Sequence, residues 1–361
     1  MALAQQHILK ISEVDVDLQL DDRLQTALEQ ISDWYLPEDG YMNGSFYPKS
    51  QNIKDFPFLF EVAQNLLQQC TEKTKGDYDE FVVSIASPGD KGSAPYRRSY
   101  RGHRIETIQG AVYALRRMPQ SVPSLSDLGL DPALRKILLS EQLNRGGLVL
   151  ICGETGQGKS TTCAATIKER MFNLGSFCLT VEDPPEMPLH GIHGDGRCYQ
   201  TEVKSGNFAQ AMKGAMRCFP TVNGSMLYVG ETRDHETAAE VLRIAMNGNL
   251  VFTTIHASDV PNSLKRLLSL ASQTMGPDAK DILSSVFRVG MHQVLEEMRP
   301  LPGQPLRKKL YNTFLLSNGS NSPVANKIRR EEIDSLPTDI QQQRTVMTQQ
   351  GPDALMKLWQ V

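Results

Sequence analysis

Short, unbroken apolar runs alternate with stretches of helical spacing through the middle of this chain. Residues 148–152, 177–181, 226–229 and 250–255 are runs of four to six residues, hydrophobic except for Thr180, Thr253 and Thr254, the pattern of strands buried on both faces of a sheet. Residues 161–170, 208–217 and 237–246 place apolar side chains three and four apart, as helices do. Strand and helix taking turns in this way predict an α/β unit with a mostly parallel sheet covered by helices. The pattern differs on either side. Residues 1–118 hold most of the aromatics, with strand-like alternation at 14–20 and 111–116 and helical spacing at 60–70, and read as a smaller α+β N-terminal domain. Two prolines in Met118-Pro119-Gln120-Ser121-Val122-Pro123-Ser124 mark an extended linker at 119–124. Residues 125–139 look helical, and the core runs over 125–298. From Asp278 onward the spacing reads as helical, with loops at 299–305 and 317–323, so residues 299–361 form a C-terminal helical region.

Composition narrows the classes. A length of 361 residues suits two domains. With 38 basic and 41 acidic residues the formal charge is −3, which gives no broad cationic surface for nucleic acid. The six cysteines stand singly with no C-x-x-C pair, which argues against a zinc ribbon, and Cys152 and Cys178 lie in apolar runs, as buried thiols do in a reducing compartment. The first residues lack the basic-then-apolar pattern of a signal peptide, and no apolar run approaches the roughly 20 residues of a membrane helix. A cytoplasmic protein is expected, able to dock on a membrane assembly through a partner.

The chemistry is concentrated where the apolar runs stop. Gly153-Glu154-Thr155-Gly156-Gln157-Gly158-Lys159-Ser160 fits G-x-x-x-x-G-K-[ST], between a strand and a helix that includes Thr161. A glycine-rich turn with an exposed lysine fits the same string; the flanking strand and helix decide for a phosphate loop. Glycines let backbone N–H groups point inward, and the helix N-terminus adds unpaired donors and a positive dipole end. Lys159 supplies charge for the β- and γ-phosphates of ATP, and Ser160 a hydroxyl for Mg²⁺.

Ligands of parallel sheets bind beyond the carboxyl ends of strands, so residues ending the other runs belong at the same edge. Glu231 follows one run and is placed to hold the Mg²⁺ shell, partly through water, or to align a water. Glu182, with Asp183 and Glu186, follows another and suits proton acceptance. His256 ends a third and is a candidate γ-phosphate sensor. His190 and His193 show no third metal ligand and read as loop residues. Among Arg97, Arg98, Arg101, Arg104 and Arg116, the candidates to neutralise phosphate charge are Arg116 and Arg104.

Placed in order, these segments resemble the secretion ATPases of type II and type IV machines, on the branch of pilus-retraction and conjugation or type IVB secretion ATPases. Thr180-Val181-Glu182-Asp183-Pro184-Pro185-Glu186 looks like the family's Asp box, Val229-Gly230-Glu231-Thr232-Arg233-Asp234 like its Walker B segment, and Gly248-Asn249-Leu250-Val251-Phe252-Thr253-Thr254-Ile255-His256-Ala257 like its His box. The likeness spans residues 94–334. It implies a RecA-like P-loop core, ATP and Mg²⁺ as cofactors, Glu231 as catalytic acid, Glu182 positioning water, His256 as sensor and N-terminal arginines at the phosphates. It also implies a homo-oligomeric, usually hexameric, ring on inner-membrane secretion or pilus platform proteins, without direct nucleic-acid contact. Departures are Gln200-Thr201-Glu202-Val203 for the usual Gln-Arg-Glu-Val, and Arg217-Cys218-Phe219-Pro220-Thr221 before the Walker B segment. The four-cysteine zinc element of type II exporters is absent, and Ala325-Asn326-Lys327-Ile328-Arg329-Arg330-Glu331 resembles a degraded retraction-motor motif. A nucleic-acid translocase and a non-hydrolysing ATP-binding assembly subunit are the alternative readings.

Overall fold

The computed structural model describes residues 22–74, 80–87, 96–203, 207–220, 225–298 and 307–357, and the chain divides into two units, Met1–Gln120 and Ser121–Val361. The strand expected at 14–20 and the loop at 299–305 lie outside the described residues.

The first unit contains α1 (Asp22–Gln30), β1 (Asp33–Pro37), β2 (Ser45–Tyr47), β3 (Gln51–Asn52), α2 (Phe60–Lys73), β4 (Glu80–Ser87), β5 (Tyr96–Thr107) and β6 (Gly110–Arg117). The strands form one antiparallel sheet in the order β3-β2-β1-β6-β5-β4. Strand alternation sorts its faces. Trp34 opposite Leu115 and Leu36 opposite Tyr113 point into a core with Val62, Ala63 and Leu66 of α2. Asp33, Tyr35, Arg101, His103 and Arg116 line a cavity on this sheet. The basic cluster at 97–104 is therefore a strand, and it sets Arg101 directly opposite Arg116. Like charges so placed repel; Asp33 offsets this with a 3.1 Å ion pair to Arg116.

The second unit contains α3 (Pro132–Leu138), β7 (Gly147–Cys152), α4 (Lys159–Leu174), β8 (Phe177–Glu182), β9 (Gly191–His193), β10 (Gly196–Glu202), α5 (Phe208–Met216), β11 (Ser225–Val229), α6 (His235–Met246), β12 (Leu250–Ile255), α7 (Val260–Met275), α8 (Asp278–Val286), β13 (Phe287–Met298), β14 (Arg307–Leu316), α9 (Pro323–Arg329), α10 (Leu336–Gln350) and α11 (Pro352–Lys357). Its sheet has the order β14-β13-β7-β12-β11-β8-β10-β9. The six inner strands pair in parallel and the two edges are antiparallel. The unbroken apolar runs follow from burial on both faces. In β7, Leu148, Leu150 and Cys152 enter one core with Val241 and Leu242 of α6 and Leu264 of α7. Val149 and Ile151 enter the opposite core with Cys163 and Ile167 of α4 and Ile137 of α3. Among the described residues no helix is long and apolar enough to cross a membrane.

Two expectations are corrected. The chain does not stay helical after Asp278: α8 stops at Val286, and β13 and β14 form a hairpin that joins the sheet beside β7. Phe287, Val289, Met291 and Gln293 are buried, while Arg288 and His292 are only partly so. That period of two outweighs the helical spacing. A side chain at Gly290 would also meet Val260 at 2.6 Å. The helix expected over 125–139 begins only at Pro132, where Asp131 Oδ1 accepts the Ala133 N–H at 2.8 Å and proline occupies the first turn.

A buried cation braces α3. Arg170 of α4 is fully buried, and its guanidinium donates to the carbonyls of Leu138 (2.7 Å) and Ser140 (2.9 Å) and to Asn144 Oδ1. These carbonyls lie at the C-terminal end of α3, where the helix dipole favours positive charge. Arg170→Met leaves three acceptors without their donor, the buried Leu138 carbonyl among them. It should destabilise the second unit by about 3 kcal/mol in urea titrations, with partial recovery in Arg170→Lys.

Candidate active site

The glycine loop lies between the end of β7 and the start of α4, as its sequence requires. Gly153 (φ +151°) has no space for a side chain, because a Cβ there would lie 2.5 Å from the Gln293 carbonyl oxygen. Gly158 adopts a left-handed conformation (φ +76°, ψ 21°) and starts α4 without a side-chain cap, so the first N–H groups of α4 have no side-chain acceptor there. Lys159 is buried, and its ammonium donates to the carbonyls of Gly153 (2.9 Å) and Glu154 (2.8 Å). Burial lowers its pKa, while the negative charges of Glu231 and Glu186 pull it back up. Glu154, Thr155 and Gly156 are exposed; Gln157, Gly158, Ser160 and Thr161 are half-buried. Thr161 Oγ1 reaches Met187 Sδ at 3.9 Å, bringing α4 to the acidic segment after β8.

The strand ends bring the other candidates to this loop. Val229 of β11 is flanked by Val181 of β8 and Thr253 of β12, and Ile255 lies beside Cys152 of β7. Beyond the paired residues, Gly230 N donates to Val181 O, Thr232 N to Thr254 O, both at 2.9 Å, and Thr254 Oγ1 to Gly230 O at 2.7 Å. Glu231 is thereby fixed. Its carboxylate meets His256 Nε2 at 3.2 Å and Arg233 at 2.9 Å. Arg233 also senses Asp183 and Glu186. Arg266 donates to the His256 carbonyl at 2.8 Å.

Glu182 ends β8 in a different environment. It is 3 % exposed. Burial pushes its pKa up to about 7, against the opposing pull of hydrogen bonds from Thr180 and Gln200; Gln200 Nε2 donates to it at 3.0 Å. Its proton affinity thus lies in the range that suits a general base at neutral pH.

Lys159, Ser160, Glu182, Glu231 and His256 all come from the second unit and stand at the carboxyl edge of its sheet. Arg104 and Arg116 belong to the first unit, where Arg104 is held by Glu38 (2.8 Å) and Glu106 (2.5 Å) and Arg116 by Asp33. His190 Nδ1 accepts the Gln200 N–H at 3.3 Å, and His193 is bonded to the Leu189 carbonyl at 2.8 Å. Sequence reasoning missed Tyr228, Gln200, Arg233 and Gln293. Tyr228 is buried in β11, and its hydroxyl shares a hydrogen bond with Ser160. It sits in an apolar run, which reads as core. Gln200 and Arg233 lie within motifs whose pattern gives them no role.

The donor set suits a polyphosphate with a divalent cation: a cradle whose glycine contacts exclude a Cβ, a buried lysine, a hydroxyl on the first helical turn and two carboxylates. Residues 99–357 match the family described as type II/IV secretion system protein. The chain belongs to that family. It is 31 % identical over 268 residues to the uncharacterized protein YggR of Escherichia coli K12, covering 73 % of each chain. It is 27 % identical over 288 residues to the type IV pilus ATPase PilU of Pseudomonas aeruginosa, covering 76 % of this chain and 67 % of PilU. Among solved structures, the pilus retraction motor PilT with bound ADP matches with TM-score 0.65 and 25 % identity over 90 % of both chains. The fold expected from sequence, an α/β P-loop core preceded by a smaller α+β domain, is thus the fold of this secretion family.

The raised pKa of Glu182 has a sign that can be tested. Its carboxylate form is disfavoured in the folded protein, so its stability contribution is full at acid pH. That contribution is lost as pH rises from the ordinary 4.5 to about 7, and is flat beyond. In urea titrations between pH 5 and pH 8, the native chain should lose about 3 kcal/mol relative to Glu182→Gln. Equal pH slopes would refute the assignment.

Proposed function

We propose that this chain is a Mg²⁺-dependent ATP hydrolase, one subunit of a hexameric ring that drives a type IV secretion, conjugation or type IV pilus machine from the cytoplasmic face of the inner membrane. One observation carries the reading: Lys159, Ser160, Glu182 and Glu231, from three separate strand ends, meet at one edge of a parallel sheet. The family relation and relatives named as pilus ATPases support it.

Each residue has a task set by its surroundings. The N–H groups of residues 153–161 and the Lys159 ammonium would hold the phosphates. Ser160 and, partly through water, Glu231 would hold Mg²⁺, which supplies charge neutralisation to the phosphates when bound. Glu231, steadied by Arg233 and His256, orients the attacking water. Glu182, with its raised pKa, accepts a proton. His256 touches Glu231 directly, which suits a sensor linking β12 to the carboxylate. Arg116, 81 % exposed with Asp33 as its carboxylate partner, is the foremost first-unit candidate for phosphate charge; Arg104, between two carboxylates, is second. The ring and its membrane platform partners are inferred from the family.

Phosphate-release and calorimetry on single variants test this. Lys159→Ala should weaken ATP binding by more than about 100-fold. Glu231→Gln should retain binding and lower kcat by about 100-fold or more. Normal turnover in Glu231→Gln would remove the catalytic assignment. ATP binding by the native chain without turnover would leave a non-hydrolysing assembly subunit, and strong stimulation by DNA would favour a translocase. Light scattering with ATP should give a ring mass; a monomer under all conditions would sink the ring.

A further inference from the structure

Behind the glycine loop runs a strand that the loop's own motif does not mention. β7 and β13 pair in parallel as far as Cys152 beside His292. There β7 ends and the chain turns into the loop, while β13 continues to Met298. The Leu295 N–H has lost its neighbouring strand, and a side chain takes that place: Gln157 Oε1 accepts it. In return, Gln293 Nε2 donates to the Gln157 main-chain carbonyl. Gln293 Oε1 accepts from Thr162 Oγ1, in the first turn of α4, at 2.8 Å. Gln293 is 2 % exposed. The loop backbone lies so close to it that a Cβ on Gly153 would be 2.5 Å from its carbonyl oxygen, and one on Gly158 would be 3.2 Å from its Nε2.

We propose that Gln157 and Gln293 are positioning residues for the phosphate cradle, a two-glutamine latch that fastens the loop to β13 and holds its N–H groups in the shape phosphate needs. The inference rests on the nucleotide reading above. Glycine-rich backbone has more freedom to lose than any other. A latch made of protein atoms alone orders the loop independently of the ligand, so binding does not bear that cost. Leu295 lies opposite Leu310 in the β13–β14 hairpin, so the loop and the hairpin are tied to each other.

The bond requires an acceptor at the end of residue 157 and nothing else. Glutamate keeps that acceptor, methionine keeps the length without it, and alanine removes both. Amide hydrogen exchange at Leu295 is measured on the full chain without nucleotide, and ADP affinity is measured by calorimetry. Exchange should quicken by about tenfold or more in Gln157→Ala and Gln157→Met, and stay within about twofold of native in Gln157→Glu. ADP should bind about tenfold more weakly to the Ala and Met variants. Because its charge repels phosphate, the Glu variant is judged on exchange. Native-like exchange in Gln157→Ala, or faster exchange with unchanged ADP affinity, would overturn the latch. If the native chain binds no ADP, the nucleotide reading fails, and the Leu295 exchange pattern still decides whether the latch exists.

Discussion

Parallel register is the constraint on which the rest depends. Strands that run the same way deliver their carboxyl ends to one edge, whatever the distance between them in sequence. That places Gly153, Glu182, Glu231 and His256 together, although more than 100 residues separate the first from the last. Backbone groups beyond the last paired residue must still find partners. Here they do so through Gly230, Thr232 and Thr254, which stitch the loops onto neighbouring strands. The positions of the chemical groups are therefore consequences of sheet pairing rather than of loop sequence alone.

The same edge gives its two central glutamates opposite surroundings. Glu182 is enclosed and its hydrogen-bond partners are neutral, Thr180 and Gln200. Glu231 stands between Arg233 and His256, within the field felt by Lys159. Burial raises the pKa of the Glu182 carboxyl. The difference depends on packing: Glu182 is enclosed because it closes an interior strand, whereas Glu231 is only half-buried because it lies two residues past the end of another.

How much of this was legible in the sequence varied with the kind of signal. The four core strands were readable because burial on both faces leaves unbroken apolar runs, each ended by glycine, glutamate or histidine. The glycine loop was readable because its motif is local. The β13–β14 hairpin was not: its mixture of Arg288, His292 and Gln293 with apolar residues fits a helix face as well as a strand face until pairing with β7 decides. The roles of Gln157 and Gln293 could not be read, because 136 positions separate them and only register brings them into contact. Tyr228 was hidden for another reason. Its ring belongs to the core, and only its terminal oxygen belongs to the site. Arg104 and Arg116 were readable as a basic cluster, but their carboxylate neighbours at positions 33 and 38 come from elsewhere in the first unit.

Lys159 also braces the loop to which it belongs. Its ammonium is tied to the carbonyls of Gly153 and Glu154, the first two residues of the loop it closes. The side chain is thus a strut as well as a charge. Any replacement at this position loosens the arch and deletes an attraction together. The deficit seen in such a variant is the sum of two injuries, and assigning all of it to a single lysine–phosphate contact would overstate how strong that contact is.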